Sequence, residues 1–197
     1  MRWLIALAAL CGCTGSDLSS LTEALTPSDG LVGYWSLDET SGTVVSAQGS
    51  GAHPGMRQSG CVFAPAQVGG GIICDGSTSA YISVGNIQQI NGKPAASLCA
   101  WMRRLAPYAK VEIGKQTPAG GGNDFALELW SDGKLDFNAS SNGGAFGETP
   151  LNDTAWHHVC EVFDGTASGN AGRLRGYVDG VQQVLGYTGT VKSLTTS

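Results

Sequence analysis

The chain has 197 residues, a net charge of −5 and 30 glycines, and only 14% of its residues are charged. That length suffices for one domain with a sizeable core. A glycine-rich, charge-poor composition suits many short strands joined by tight turns rather than a helical bundle or a disordered chain. The acidic balance and the lack of any Lys/Arg cluster argue against a nucleic-acid backbone as partner, since nothing is present to displace its counterions.

The N-terminus reads as an export signal. Arg2 supplies a positive charge, and Leu4 to Leu10 is an apolar run, too short to span a bilayer, which takes about 20 residues. Leu10-Cys11-Gly12-Cys13 resembles a bacterial lipobox with Cys13 as the lipidated residue. Ordinary signal-peptidase cleavage near Ala8 or Gly12 is the alternative. Thr14 is not acidic, which by resemblance to Gram-negative lipoproteins favours the outer membrane or cell surface over inner-membrane retention. Residues 14–29 read as a polar tether, in which Leu18, Leu21 and Leu25 have near-helical spacing and Ser20 with Glu23 could form a capping box. Pro27-Ser28-Asp29-Gly30 marks its end. The expected organisation is a signal over 1–13, a tether over 14–29 and a folded domain over 30–197.

Within that domain the period is two. Trp35 and Leu37 alternate with Tyr34 and Ser36, and Gly69-Gly70-Gly71 leads into Ile72 to Cys74 before Asp75-Gly76 breaks the chain. Tyr81 to Val84 is a short strand. Ser97 to Arg103 is another, with Cys99 and Trp101 on one side. Phe125, Leu127 and Leu129 alternate with Ala126, Glu128 and Trp130, and Asp132-Gly133 turns that strand into Leu135-Asp136-Phe137. The densest signal is Ala155 to Gln183. Val159, Glu161 and Phe163 alternate with His158, Cys160 and Val162; a small, polar loop follows over 167–172; and Leu174, Gly176 and Val178 alternate with Arg173, Arg175 and Tyr177. Asp179-Gly180 between β-formers predicts a type I′ turn, because both turn residues need positive φ, and Val181 to Leu185 is expected to return as the partner strand. Sustained helical periodicity is absent. The pattern predicts an all-β antiparallel sandwich.

Besides Cys13, the domain carries Cys61, Cys74, Cys99 and Cys160. In an exported chain four cysteines suggest two disulfides with three possible pairings. We favour Cys61–Cys74 and Cys99–Cys160, which close a short and a longer loop worth about 3 and 4 kcal/mol in the chain-entropy picture. No Cys-x-x-Cys pair is present and the histidines complete no ligand set, which argues against zinc.

The ordered segments GLVGYWSLDETSGTVV (30–45), VGGGIICDGSTSAYISVG (68–85), SLCAWMRR (97–104), FALELWSDGKLDF (125–137), AWHHVCEVFDGT (155–166) and RLRGYVDGVQQ (173–183) resemble bacterial laminin-G-like, concanavalin A-like lectin domains. The resemblance implies a jelly roll of two curved sheets, and most often a module that binds glycans or extracellular proteins. Two departures stand out. After its Asp-Gly turn the family often carries an acidic pair, but Asp75 to Tyr81 here holds no second carboxylate. A calcium ion, which the resemblance makes possible, needs several oxygen ligands. The family's closing pair of strands is also not reached by Ser197, so an incomplete sandwich with an open edge is expected.

Catalytic signatures are missing. Glycosidases on this sandwich place carboxylates as Glu-x-Asp-x-x-Glu on one strand face, and no such run occurs. Asp38 and Glu39 are adjacent, so they point opposite ways on a strand, and a turn separates Glu128 from Asp132. His157 and His158 face opposite sides and read as scaffold. G-x-S-x-G and phosphate-binding loops are absent. Trp35, Trp101 and Trp156 are expected in the core. Trp130, on the face opposite Leu127, and Phe146 and Tyr187, in loop-rich stretches, are the candidate ligand contacts. No catalytic residue is assigned. The expected function is a non-catalytic, surface-tethered recognition module for glycans or extracellular proteins, using loops 116–124 and 140–150. A carbohydrate-active hydrolase and a structural envelope protein are the alternatives.

Overall fold

The computed structural model describes residues 3–11, 30–50, 53–106, 111–115, 125–140 and 143–193. Sixteen strands follow in chain order: β1 (Trp3–Cys11), β2 (Leu31–Trp35), β3 (Val44–Val45), β4 (Gly55–Arg57), β5 (Cys61–Pro65), β6 (Gly70–Cys74), β7 (Ile82–Ser83), β8 (Ala95–Arg104), β9 (Val111–Lys115), β10 (Phe125–Leu129), β11 (Leu135–Ser140), β12 (Gly143–Gly147), β13 (His157–Asp164), β14 (Leu174–Val178), β15 (Val181–Gln182) and β16 (Leu185–Gly189). The loop expected over 167–172 holds a one-turn helix, α1 (Gly169–Arg173).

All pairings are antiparallel, and the fold is the β-sandwich expected from the period of two. One sheet runs β15-β14-β13-β8-β1-β6-β5, with β2 also paired to β1. The second runs β16-β12-β11-β10-β9, and a small third one is β3-β4-β7. β1 lies on the free edge of β8, while its other edge is shared by β2 and β6. The apolar run expected as an export signal therefore stands between β8 and β6, where the sheet would otherwise be open. Cys13 and the tether lie outside the described residues.

The core forms where the inward faces meet. Ala96, Leu98, Ala100 and Met102 of β8 and Val159, Glu161 and Phe163 of β13 are buried, while the residues between them are half-buried. Across the gap, Phe125, Leu127, Leu135 and Phe137 fill the interior. The Phe137 ring lies against Gly176 so closely that a Cβ there would collide with it, which explains a glycine in the middle of β14. Trp35 is core, as expected, at 6% exposure. Trp101 and Trp156 are only half-buried. Trp101 shares the outer face with Cys99, and strand alternation decides this against its bulk.

Two further outcomes concern the chain's end. Asp179 and Gly180 have φ of 50° and 79°, as a type I′ turn requires. The return strand, however, stops at Gln182, and β16 crosses to pair with β12 in the other sheet. Both expected disulfides form, Cys61–Cys74 and Cys99–Cys160, each between directly opposed residues of neighbouring strands.

Glu161 breaks the apolar pattern. It is fully buried, and neither carboxyl oxygen makes a hydrogen bond of normal geometry. Burial pushes its pKa well above the ordinary carboxylate value and the charge of Asp136 adds to this; the Asn138 amide offsets them only in part. The native state thus holds a proton that the unfolded chain releases above pH about 4.3, so Glu161 lowers stability progressively as pH rises from there toward its folded pKa. Glu161→Gln should therefore raise stability more at pH 7 than near pH 4, because it removes the cost of ionising the buried carboxyl. Urea unfolding at both pH values checks this; equal effects at the two would count against a protonated Glu161.

Candidate functional site

The outward face of the five-stranded sheet is built by alternation. Phe125, Leu127, Leu129, Leu135 and Phe137 point to the core, so Ala126, Glu128, Asp136 and Asn138 face the other way. Register then aligns these into rows. Glu112 of β9 lies opposite Glu128 of β10, Glu128 opposite Asp136 of β11, Asp136 opposite Phe146 of β12, and Phe146 opposite Gly186 of β16. The next row is Gly114, Ala126, Asn138, Gly144 and Thr188. Neighbouring strands stand about 4.8 Å apart, and opposed Cβ atoms about 4.5–5.5 Å. One face thus carries three carboxylates in one row beside a row of mainly small residues, of which Ala126 and Gly144 are buried.

Exposure changes along the first row. Glu112 is exposed, Glu128 and Asp136 are each 6% exposed, and Phe146 is half-buried. Asn138 Nδ2 donates to Asp136 Oδ2 at 3.1 Å, which holds that carboxylate in place. Trp130 follows Glu128 by two residues and is 41% exposed, at a turn closed by the Trp130 amide on the Lys134 carbonyl and the Gly133 amide on the Trp130 carbonyl. The structure brings Trp130 and Phe146 to this face. Tyr187 is turned inward instead: it packs on the core, and its hydroxyl donates to the Leu174 carbonyl at 2.9 Å. Loop 116–124 lies outside the described residues.

Sequence reasoning weighed Glu128 against Asp132 and passed over Glu112 and Asp136. The signal was available in part, because Glu128 and Asp136 occupy the polar phase of alternating strands. Their opposition depends on the hairpin register, which the four-residue span Trp130–Gly133 alone does not set.

The two histidines diverge as expected. His157 Nδ1 lies 2.8 Å from Asp179 Oδ2 and its Nε2 3.0 Å from Asp153 Oδ1, while Asp179 Oδ1 accepts the His158 amide at 2.9 Å. His158 lies on the outer face of the larger sheet, its ring 5.2 Å from that of Trp101. Burial alone would depress the His157 pKa, but the hydrogen bonds accepted by Asp179 and Asp153 outweigh it and the value is raised. Burial lowers that of His158. His157 is thus a clamp on the Asp179-Gly180 turn.

The residues after the Asp75-Gly76 turn do not fit a calcium ion. Asp75 accepts the Ser77 amide at 2.9 Å, the main reason its pKa is lowered, and no second carboxylate follows before Tyr81. Beside it a shallow cavity of about 320 Å³ is lined by Gly60, Val62, Ile73 and Asp75. Among the described residues, the only three potential ligand atoms within 4.8 Å of one another belong to Cys99, His158 and Cys160.

Residues 75–196 match the profile of the concanavalin A-like lectin/glucanases superfamily. The chain belongs to this superfamily. The matched span starts at the Asp75-Gly76 turn, and the carboxylate row and the histidine pair lie within it. No curated protein and no solved structure matches the chain. The superfamily holds both lectins and glycosidases, and among the described residues no helix is long and apolar enough to cross a membrane.

The His157 clamp has a testable pH dependence. Because the folded pKa is raised, its stabilisation is fully present below the unfolded value of about 6.5 and fades as pH rises through the folded value. Asp179→Asn keeps a residue that tolerates positive φ but removes the charge. It should lower the His157 pKa in an NMR titration and cost up to about 1 kcal/mol at pH 6, with a smaller loss at pH 9. An unmoved His157 titration would rule the clamp out.

Proposed function

We propose that this domain is a non-catalytic recognition module that binds carbohydrate on the outward face of the five-stranded sheet. The observation that carries this reading is the open margin of this face: Glu112, Gly114 and Trp130 are exposed toward one edge, Gly186 and Thr188 toward the other, and Phe146 is half-buried, while Ala126, Glu128, Asp136 and Gly144 between them are buried. Sugar rings need a flat apolar surface to stack on and acceptors for their hydroxyls. The superfamily match is compatible with carbohydrate binding.

A hydrolase is the second reading, and Glu128 opposite Asp136 favours it, since retaining glycosidases hold two carboxyl groups about 5–5.5 Å apart. Against it, both residues are buried and Asp136 is tied to Asn138, so neither offers an open carboxylate to a scissile bond. Glycan-array screening followed by calorimetry separates the two. Trp130→Ala should weaken binding about tenfold, equivalent to ~1.4 kcal/mol, with no release of reducing sugar from any bound glycan. Turnover that disappears in Glu128→Gln would establish the hydrolase instead.

The module is further proposed to be held at the cell surface by lipid on Cys13, with residues 14–29 as spacer. Processing before Cys13 would remove β1 and leave the facing edges of β8 and β6 unpaired. The intact mass of the protein isolated from membranes decides the matter: a chain starting at a lipid-modified Cys13, lost in Cys13→Ala, is expected, whereas a mass that includes Trp3–Cys11 would refute the anchor.

A further inference from the structure

The outer face of the larger sheet carries a second chemical cluster, distinct from the carbohydrate face. Register sets Cys160 opposite Cys99 and His158 opposite Trp101. Since Cys160 and His158 are two residues apart on β13, their side chains share one face. The ring nitrogens of His158 lie 3.9 and 4.0 Å from Cys160 Sγ, and all three ligand atoms fall within 4.8 Å of one another. The two cysteines are joined as a disulfide. Cys61 and Cys74 form a similar cross-strand bond, but among the described residues no third ligand joins that pair.

We propose that reduction of Cys99–Cys160 turns this corner into a binding site for a thiophilic divalent ion such as zinc, held by both sulfurs and one ring nitrogen of His158. The chemistry balances. A dithiol reductant gives up two electrons and two protons to the S–S bond, leaves as its own disulfide, and yields two thiols. The thiols then release their protons to solvent as two metal–sulfur bonds form. Tetrahedral zinc, with bonds of about 2.3 Å to sulfur and about 2.0–2.1 Å to nitrogen, places its ligand atoms roughly 3.5–3.8 Å apart. The ring nitrogens of His158 lie at 3.9 and 4.0 Å from Cys160 Sγ, a little beyond that span, so binding needs the sulfurs to part and the imidazole to turn one nitrogen toward them while the strands stay paired. The Trp101 ring limits where the imidazole can turn. Cys99, His158 and Cys160 are all half-buried, so a small reductant and an ion can reach them, and the fourth position is left to water.

The full chain, reduced anaerobically with a non-chelating phosphine and titrated with Co²⁺, tests this. A single ion per chain is expected, with thiolate-to-cobalt charge-transfer bands and tetrahedral d–d bands that zinc displaces. His158→Ala should weaken binding at least about tenfold and Cys160→Ser should abolish the charge-transfer bands, while Cys74→Ser leaves them unchanged. The oxidised chain should show none. Circular dichroism follows the strands in parallel. The proposal is overturned if the reduced, still strand-rich chain gives no charge-transfer band. It is equally overturned if the strand signal is lost on reduction, or if Cys74→Ser removes the bands and Cys160→Ser does not.

Discussion

The pairing of β8 with β13 is the constraint on which the rest of this structure depends. From Ala95–Asp164 to Met102–His157 the two strands hold an unbroken antiparallel register, and a period of two then assigns every side chain to one face or the other. The inward set supplies the core. The outward set places Cys99 against Cys160 and Trp101 against His158. A slip of β13 by one residue would turn His158 and Cys160 inward, away from Trp101 and Cys99, and expel Val159 and Phe163 into water, so the apolar core itself enforces the register. The disulfide covalently records it.

The same register imposes a cost. Glu161 lies in the inward phase between Val159 and Phe163, and the strand cannot turn it out without inverting its neighbours. Burial there shifts the carboxyl toward its protonated form. Arg104 is the opposite case. Also in the inward phase and 4% exposed, it reaches past the core to donate to the carbonyls of Ser131 and Leu151 and to Asn152 Oδ1, tying the turn after β10 to the segment before β13.

Strand pairing also organises the surfaces. On the five-stranded sheet, carboxylates separated by many residues in sequence become neighbours because hairpins align them. On the larger sheet a histidine becomes a neighbour of a disulfide for the same reason. At the N-terminus, the nine-residue strand β1 bridges the edges of β8 and β6.

The local sequence determined the strands, the turns and the fold class, because alternation, glycine turns and the Asp179-Gly180 pair act over a few residues each. It also pointed to the outward phase of Trp130 and to opposite faces for His157 and His158, since both follow from the period of two. Tertiary structure decided what alternation cannot: that Tyr187 belongs to the core, that Trp101 does not, that β16 leaves its hairpin for the other sheet, and that Glu112, Glu128 and Asp136 stand in one row. Each of these depends on which strand lies alongside which, and in what register. That choice is made by the packing of the whole core and leaves no mark within any single strand.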